Sequence, residues 1–149
     1  MRNLLKSNRG SVGKWLLIAI IVAAAVFGYG YFKKQPRYAL IQFKKCVMFS
    51  DAEATQKFID LEKVSPGLPE SFTHREPDET VKQRLINELN SPTEKSFFKP
   101  VKSWSVIMAP ITIMENQVVA TAVPLEGTKV TLEKVDQDRW IITRLDIPD

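Results

Sequence analysis

Near its start the chain contains a stretch in which every position is uncharged and most are hydrophobic, without the periodic alternation of an amphipathic element. Residues 15–32, WLLIAIIVAAAVFGYGYF, contain no charged residue and no proline. An α-helix of that length rises about 27 Å, close to the ~30 Å thickness of a bilayer's hydrocarbon core. Because a buried helix of a soluble protein is rarely apolar on every face, the run predicts a membrane-spanning helix.

Both ends of this run carry residues typical of a membrane boundary. Aromatic rings favour the headgroup region, and lysine side chains reach outward toward it. A cleaved signal peptide is the alternative, because residues 1–14 are basic and residues 23–25 are small alanines. The apolar run continues past residue 25 to residue 32, which favours an uncleaved anchor. The predicted anchor residues are Trp15, Tyr29, Tyr31, Lys14, Lys33 and Lys34.

The hydrophobic positions between residues 36 and 64 recur every three to four residues, which predicts helices. The string SDAE at residues 50–53 matches a capping box, in which serine and glutamate side chains each bond to the other residue's backbone amide. We therefore expect one helix to end near Phe49 and a second helix to begin at Asp51. The residues that the second helix should bury are Ala54, Phe58 and either Ile59 or Leu61.

Val81, Leu85 and Leu89 are spaced by four residues, which predicts a helix from about Asp78 to Asn90. From residue 101 the period changes from 3.6 to 2, and turn residues separate short runs rich in Val, Ile and Thr. Short connections between consecutive strands indicate an antiparallel meander, and helices followed by such a sheet predict an α+β fold. The predicted strands are 101–109, 111–114, 117–123, 129–135 and 139–147.

The distribution of charge separates the two parts of the chain. The whole chain has 21 basic and 17 acidic side chains, a formal net charge of +4. Residues 1–35 contain six of the basic and none of the acidic ones, so residues 36–149 carry a net charge of −2. Nucleic-acid binding requires a basic face that contacts several phosphates, which this domain lacks. The basic residues beside the apolar run instead predict the lipid bilayer as a partner.

Residue types needed for common catalytic and metal sites are scarce. Cys46 is the only cysteine, which excludes an internal disulfide, and His74 is the only histidine. His74 lies in a polar loop, where a solvated or capping role is expected, and Cys46 lies on a predicted amphipathic helix, where a small core residue is expected. An intermolecular disulfide through Cys46 is the alternative for that residue. We predict no catalytic, cofactor-binding or metal-binding residue and no cofactor.

Two segments resemble known protein families. Residues 36–45 (PRYALIQFKK), together with Asp51 and residues 58–60 (FID), resemble a bacterial membrane-anchored family of unknown function. Residues 130–142 (VTLEKVDQDRWII) resemble the last hairpin of nuclear-transport-factor-like domains, which are cone-shaped α+β folds with a curved antiparallel sheet packed on helices. The resemblance implies a fold and a membrane-tethered setting but no activity, because this fold hosts enzymes, binding modules and assembly subunits alike.

The resemblance also suggests where a pocket would lie. Cone-shaped domains can perform proton transfer with a tyrosine and an aspartate whose pKa an apolar pocket shifts, which makes Tyr38 and Asp60 candidate pocket residues. Trp104 is a third candidate, as an aromatic pocket lining. The alternative is structural: Tyr38 packs at the base of the domain, Asp60 caps a turn that begins at Leu61, and Trp104 packs on the sheet.

These observations predict a four-part chain. Residues 1–14 are expected to form a cytoplasmic basic tail, residues 15–32 a transmembrane helix, residues 33–36 a linker and residues 37–149 an extracytoplasmic α+β domain. This arrangement, a short tail followed by an anchor and one domain, is that of a signal-anchor protein of the bacterial inner membrane. Orientation rests on this layout, because basic residues flank the span on both sides.

The expected function is that of a non-enzymatic accessory or assembly module that binds another envelope protein or itself. The alternative is a small-molecule-binding or weak lyase or isomerase pocket within the domain. A deep apolar cavity containing Tyr38 or Asp60 would favour the pocket. A filled interior with an exposed apolar patch or an open sheet face would favour protein interaction.

Overall fold

The computed structural model describes residues 9–91 and 96–148, and the chain forms two compact units, Met1–Lys33 and Lys34–Asp149. The first unit contains helix α1, Arg9–Lys33. Its segment Ser11–Lys33 is long and apolar enough to cross a membrane, a property that an N-terminal signal sequence shares. Large apolar side chains along it are exposed, including Phe27 at 79 %. The helix predicted from the apolar run is therefore present.

The second unit begins with a helix whose first residue is a proline. Pro36 is the first residue of helix α2, Pro36–Met48, where proline's fixed backbone angle suits the first turn and its missing N–H is not needed. The side chains of Leu40, Phe43 and Val47 are buried. Their spacing of three and four residues places them on one face, so the predicted amphipathic helix is confirmed.

The helix predicted to start at Asp51 is much shorter than its hydrophobic pattern suggested. Helix α3 spans only Ala52–Thr55. Asp51 is its N-cap and accepts a 2.9 Å hydrogen bond from the backbone N–H of Ala54. Ser50 has a φ of 55°, in the left-handed region, and follows the end of α2. The capping box predicted at Ser50 was therefore wrong, because Asp51 fills that position one residue later.

A turn at residues 56–58, a single bridging residue and a new cap separate α3 from helix α4, Leu61–Val64. Asp60 is the N-cap of α4, and its Oδ1 accepts from the N–H groups of Glu62 and Lys63 at 3.1 and 3.2 Å. Just before it, Ile59 forms a parallel bridge with Ile142 of the sheet. The pairing with the sheet fixes residue 59 in an extended conformation, which prevents one continuous helix.

Two further helices precede the sheet. Helix α5 is the single turn Glu70–Thr73, and helix α6, Asp78–Asn90, has the bounds that its four-residue spacing predicted. α6 buries Val81, Leu85 and Leu89 and contacts both α3 and α4. Short 3₁₀ turns cover Ser65–Gly67 and Lys99–Ser103.

The sheet is a four-stranded antiparallel meander in the order β1-β2-β3-β4. Its core face carries alternating buried residues, and α2 and α4 both contact β4. The predicted α+β architecture with an antiparallel sheet is thus confirmed. The strands are β1, Ile111–Ile113, β2, Val119–Leu125, β3, Thr128–Val135, and β4, Arg139–Asp146.

The strand predicted over residues 101–109 is absent. Its first part belongs to the 3₁₀ turn Lys99–Ser103, which Pro100 favours because its φ angle is fixed near the helical value. Residues 106–108 form a turn in which Ile107 and Met108 are 71 % and 82 % exposed. Neighbouring residues of a strand would point to opposite faces, whereas both of these point to solvent.

Candidate functional site

The aromatic residue proposed as a pocket lining, Trp104, lies in the domain core. Its side chain is 1 % exposed, and its ring centroid is 5.8 Å from that of Phe43. Phe43 in turn makes an edge contact with Phe98, at 6.2 Å. The indole Nε1 of Trp104 has no hydrogen-bond partner among residues 9–91 and 96–148. Trp104 therefore acts as a packing residue in this structure.

The contacts of Tyr38 and of Asp60 are of different kinds. Tyr38 is half-buried near the start of α2, where its ring meets the ring of Phe58 edge-on at a centroid distance of 6.4 Å. Asp60 lies beside an open depression of about 340 Å³, with one carboxylate oxygen occupied as the cap of α4. Of the three candidate pocket residues, only Asp60 lines this depression.

The depression beside Asp60 is open and lined by several charged groups, two of which form an ion pair. Lys82 Nζ lies 2.9 Å from Glu62 Oε1. The other charged groups in its lining are Lys57, Asp60 and Arg139. This composition differs from the mostly apolar, enclosed pockets that usually hold small ligands.

The pKa shifts around the depression keep the acidic and basic side chains charged at neutral pH. The hydrogen bond from Lys82 lowers the pKa of Glu62 below its ordinary value, and the same bond raises the pKa of Lys82. Nearby, a 2.6 Å bond to Glu133 raises the pKa of Lys63. A general acid or base works best with a pKa near the operating pH, so these pairs are suited to holding charge and not to transferring protons.

A second cluster, which the sequence analysis did not identify, is centred on Arg37 in the first turn of α2. Its guanidinium donates to three backbone carbonyl oxygens, those of Val106 at 3.0 Å, Ile107, and Ala109 at 3.0 Å. A cation in the first turn of a helix opposes the helix dipole, and bonds to carbonyl oxygens offset that cost. The first turn of α2 contains no acidic residue that could pair with Arg37. A basic residue in such a turn is the one feature of the sequence that could have drawn attention to this contact.

The segment that Arg37 holds is also anchored at both ends. At its start, Lys44 Nζ donates to the carbonyl oxygen of Trp104 at 2.6 Å, and the N–H of Ser105 donates to the carbonyl of Pro124 at 2.8 Å. At its end, the carbonyl of Pro110 accepts from the N–H of Val123 at 3.1 Å. We call the two exposed residues of this segment, Ile107 and Met108, the apolar tip.

Another exposed apolar surface lies on the hairpin formed by β1 and β2. Ile113, Met114 and Val118 are 45 %, 49 % and 45 % exposed. Asn116 fixes the turn, because its Oδ1 accepts from the N–H groups of Val118 at 3.1 Å and Val119 at 3.3 Å. Within the described part of the chain, β1 pairs with β2 alone, so one edge of this strand is open. We call this surface the β1–β2 hairpin surface.

The remaining candidates have local roles. His74 ends α5 with a φ of 50°, and its backbone N–H donates to the carbonyl of Glu70 at 2.9 Å. Cys46 is half-buried on α2, and burial is the main cause that raises the pKa of its thiol, followed by the nearby charge of Asp51. A raised pKa reduces the thiolate fraction at neutral pH and therefore the reactivity of this cysteine.

Comparison with protein-family models, with curated proteins and with solved structures finds no match to this chain. The resemblance of residues 36–60 and 130–142 to known families therefore stays a prediction. Function has to be argued from the surfaces of this molecule alone.

Proposed function

We propose that this chain is a single-pass membrane protein of the bacterial envelope whose domain, residues 34–149, binds another envelope protein or a second copy of itself. The binding surface in this proposal is the β1–β2 hairpin surface. The observation that carries the proposal is the exposure of Ile113, Met114 and Val118 beside a turn that hydrogen bonds hold in place.

The hairpin surface has the two properties that protein partners use. Its apolar side chains offer area that leaves water on binding, which is the main source of affinity in most protein interfaces. Its open β1 edge offers backbone N–H and C=O groups to which an extended segment can add as another strand. A strand of only three residues limits that pairing, so side-chain contacts would contribute most of the affinity.

The filled interior of the domain favours a function at its surface over a ligand pocket inside it. Large side chains fill the space between the helices and the sheet, and Trp104, Phe43 and Phe98 are each at most 1 % exposed. The ring of Tyr38 packs on that of Phe58, and Asp60 caps α4, as the structural alternative for both residues predicts. Ligand binding at the charged depression beside Asp60 is the rival function, since Asp60 does line it.

Crosslinking in native membranes tests the proposal. A photo-reactive amino acid placed at Val118 of the full chain should form a discrete crosslinked product. The matched control is the same amino acid at Gln83, an exposed position on α6. Equal labelling from both positions, or none from Val118, would contradict the hairpin surface as the binding site.

The location of the domain requires a separate measurement. Alkaline phosphatase fused after Asp149 should be active, because the enzyme folds only where disulfides form, outside the cytoplasm. An inactive fusion in cells that produce the full-length chain would place the domain in the cytoplasm. The anchor itself rests on helix α1, whose length and composition suit a bilayer.

A further inference from the structure

Hydrogen bonds between β1 and β2 identify which backbone groups of β1 face its partner strand. The N–H of Val123 donates to the carbonyl of Pro110 at 3.1 Å. The N–H of Met114 donates to the carbonyl of Val119 at 2.8 Å. Because bonded pairs alternate along an antiparallel ladder, residues two apart bond to the same neighbouring strand. Thr112, midway between Pro110 and Met114, therefore also directs its backbone groups toward β2.

The same alternation makes Ile111 and Ile113 the residues of the open edge. Their N–H and C=O groups point away from β2, and no further hydrogen bond to them is found among residues 9–91 and 96–148. Two residues before Ile111, the carbonyl of Ala109 already accepts a bond from Arg37 at 3.0 Å. The open edge therefore offers two backbone donors and two backbone acceptors.

The opposite edge of the sheet differs in both pairing and charge. In β4, the N–H of Ile142 donates to the carbonyl of Phe58 and its carbonyl accepts from the N–H of Asp60, each at 2.8 Å. Three of the eight residues of β4 are charged, and charged side chains on an edge discourage pairing with another chain. β1 has no charged residue, and Glu115 is the only one in residues 103–125. The β1 edge thus lacks the charged side chains that would oppose another strand.

The side chains of β1 also leave apolar area uncovered at this edge. Ile111 and Ile113 lie opposite Ala122 and Ala120 of β2, which are fully buried, so both isoleucines are on the core face of the sheet. Ile113 is nevertheless 45 % exposed. Thr112 lies on the other face, because successive residues of a strand alternate.

The sequence of β1 suits pairing with a second copy of itself. It is Ile-Thr-Ile, which reads the same in both directions. If two β1 strands lie antiparallel with Thr112 opposite Thr112, then Ile111 of each copy lies opposite Ile113 of the other. Both pairs exchange two N–H···O=C bonds, so every free group of the two edges is used. A shift by two residues would leave one such pair with two bonds, which makes the symmetric register the most favourable.

Charge also favours a second copy as the occupant. A different protein partner is commonly selected by complementary charge, and β1 offers none. Two copies of a domain with a net charge of −2 approach with least repulsion along an uncharged surface. In the register centred on Thr112, Glu115 lies opposite Ala109 of the other copy. The two Glu115 residues are then about 20 Å apart along the strands, farther than the ~8 Å over which salt screens charge.

We propose that β1 pairs antiparallel with β1 of a second copy, so that two four-stranded sheets join into one sheet about a twofold axis at Thr112. This inference rests on the proposed function and names the partner at the hairpin surface. Ile111 and Ile113 of both copies form one apolar cluster across the axis, which removes their exposed area from water. The strands are short, and a single-pass anchor raises the effective concentration of the copies by confining them to one membrane.

Disulfide formation in native membranes tests the pairing. In a Cys46→Ala background of the full chain, Thr112→Cys is oxidised with copper phenanthroline. The Cα atoms of a directly opposite, non-hydrogen-bonded pair are about 4.5 Å apart, within the range that a disulfide spans. The matched control is Thr121→Cys, because Thr121 is the partner of Thr112 on β2 and lies on the same face. Its counterpart in the second copy would be three strand spacings away, about 14 Å.

Thr112→Cys should give a product of twice the chain mass, in at least about tenfold higher yield than Thr121→Cys, because only the first pair is within disulfide reach. Equal yields from the two positions would indicate random collision and overturn the proposal. Absence of the Thr112→Cys dimer would overturn it as well. A Thr112→Cys product joined to a different protein would also contradict a second copy as the partner.

A charge at the twofold axis provides a second measurement. Two differently tagged full chains are produced in the same cells and one tag is used for purification. Thr112→Lys in both chains should lower the co-purified share at least about threefold, because like charges directly opposite each other destabilise a strand pair. Thr121→Lys, one strand inward on the same face, is the control and should leave that share unchanged. Undiminished co-purification of the Thr112→Lys chains would contradict the register.

The photo-crosslink at Val118 separates failure of this inference from failure of the proposed function. If the Thr112→Cys dimer is absent and Val118 still crosslinks to a different protein, the hairpin surface binds a partner and only the second copy is wrong. If neither product forms, the hairpin surface is not a binding site and the proposed function fails with it.

Discussion

The charged depression beside Asp60 and the segment beneath the apolar tip use positive charge in different ways. In the depression, Lys82 pairs with Glu62, and that carboxylate's side chain is 78 % exposed. Beneath the tip, Arg37 and Lys44 bind backbone carbonyl groups in partly buried positions. An exposed ion pair contributes little to stability, whereas a charged donor to a partly buried carbonyl contributes more. The comparison separates a solvated charged surface from charges that determine where the backbone runs.

The largest expected loss of stability comes from replacing Trp104. Its side chain is buried in the core at the start of the segment that carries the apolar tip. Trp104→Ala should lower the free energy of unfolding by about 3–5 kcal/mol, because it leaves a cavity beside Phe43. Trp104→Phe should cost clearly less, since the indole Nε1 has no hydrogen bond to lose within the described residues. Urea unfolding of the full chain in detergent, followed by circular dichroism, measures both. Equal losses for the two variants would contradict the assignment of Trp104 as a packing residue, because Trp104→Phe retains most of the ring volume.

Replacing Arg37 tests whether its contacts determine the backbone of the tip. Arg37→Ala should lower the free energy of unfolding by about 1–3 kcal/mol, because it leaves partly buried carbonyl groups without a donor. It should also increase proteolysis near residue 107. Lys45→Ala is the control, since Lys45 is an exposed basic residue on the same helix. If Arg37→Ala and Lys45→Ala lose similar stability and are cleaved at similar rates, the contacts of Arg37 do not determine the backbone of the tip.

Asp60 distinguishes a capping role from a catalytic one. Asp60→Ala should lower the free energy of unfolding by about 0.5–2 kcal/mol, through loss of the bonds to the N–H groups of Glu62 and Lys63. Asp60→Asn should retain most of that stability, because an amide oxygen can accept the same bonds. The measurement is the urea midpoint of the three proteins. If Asp60→Asn is as unstable as Asp60→Ala, the negative charge has a role beyond the cap.

The sequence pattern predicted those parts of the domain in which local spacing and burial agree. The helices at residues 36–48 and 78–90 follow from apolar residues three and four apart, and the meander follows from period-2 runs with short turns. Such long or repeated patterns leave few alternatives. The pattern failed at Ile59, where pairing with Ile142 overrides local helix preference. Contacts over eighty residues of sequence leave no local signal.

The candidate site was predicted less well for a related reason. Tyr38, Asp60 and Trp104 were chosen by residue type, and residue type does not show which side chains a fold brings together. Asp60 was also expected as a cap, and that interpretation is confirmed. The role of Arg37 depends on contacts with residues 69 to 72 positions away. Its position in a helix's first turn is unfavourable for a cation, but that does not show which groups it contacts.

The smallest expected effect on stability comes from the ion pair of Glu62 and Lys82. Its dependence on pH distinguishes this exposed pair from the contacts of Arg37 with backbone carbonyl groups. The folded state lowers the pKa of Glu62 from an ordinary value of 4.5, so its stabilisation is fully present above that pH. It is lost as the pH falls through the lowered pKa. The pKa of Lys82 is raised from 10.5, so its share is present below that pH and is lost as the pH rises through the raised pKa.

Glu62→Gln should therefore shift the urea midpoint slightly at pH 7, and the difference from the unmodified chain should vanish in acid. The difference should also shrink as sodium chloride is raised, because salt screens exposed charges. Arg37→Ala provides the contrast: its guanidinium binds neutral carbonyl groups, so its effect should persist in acid and in salt. A Glu62→Gln effect as large and as independent of salt as that of Arg37→Ala would mean that the depression is less solvated than its open geometry indicates.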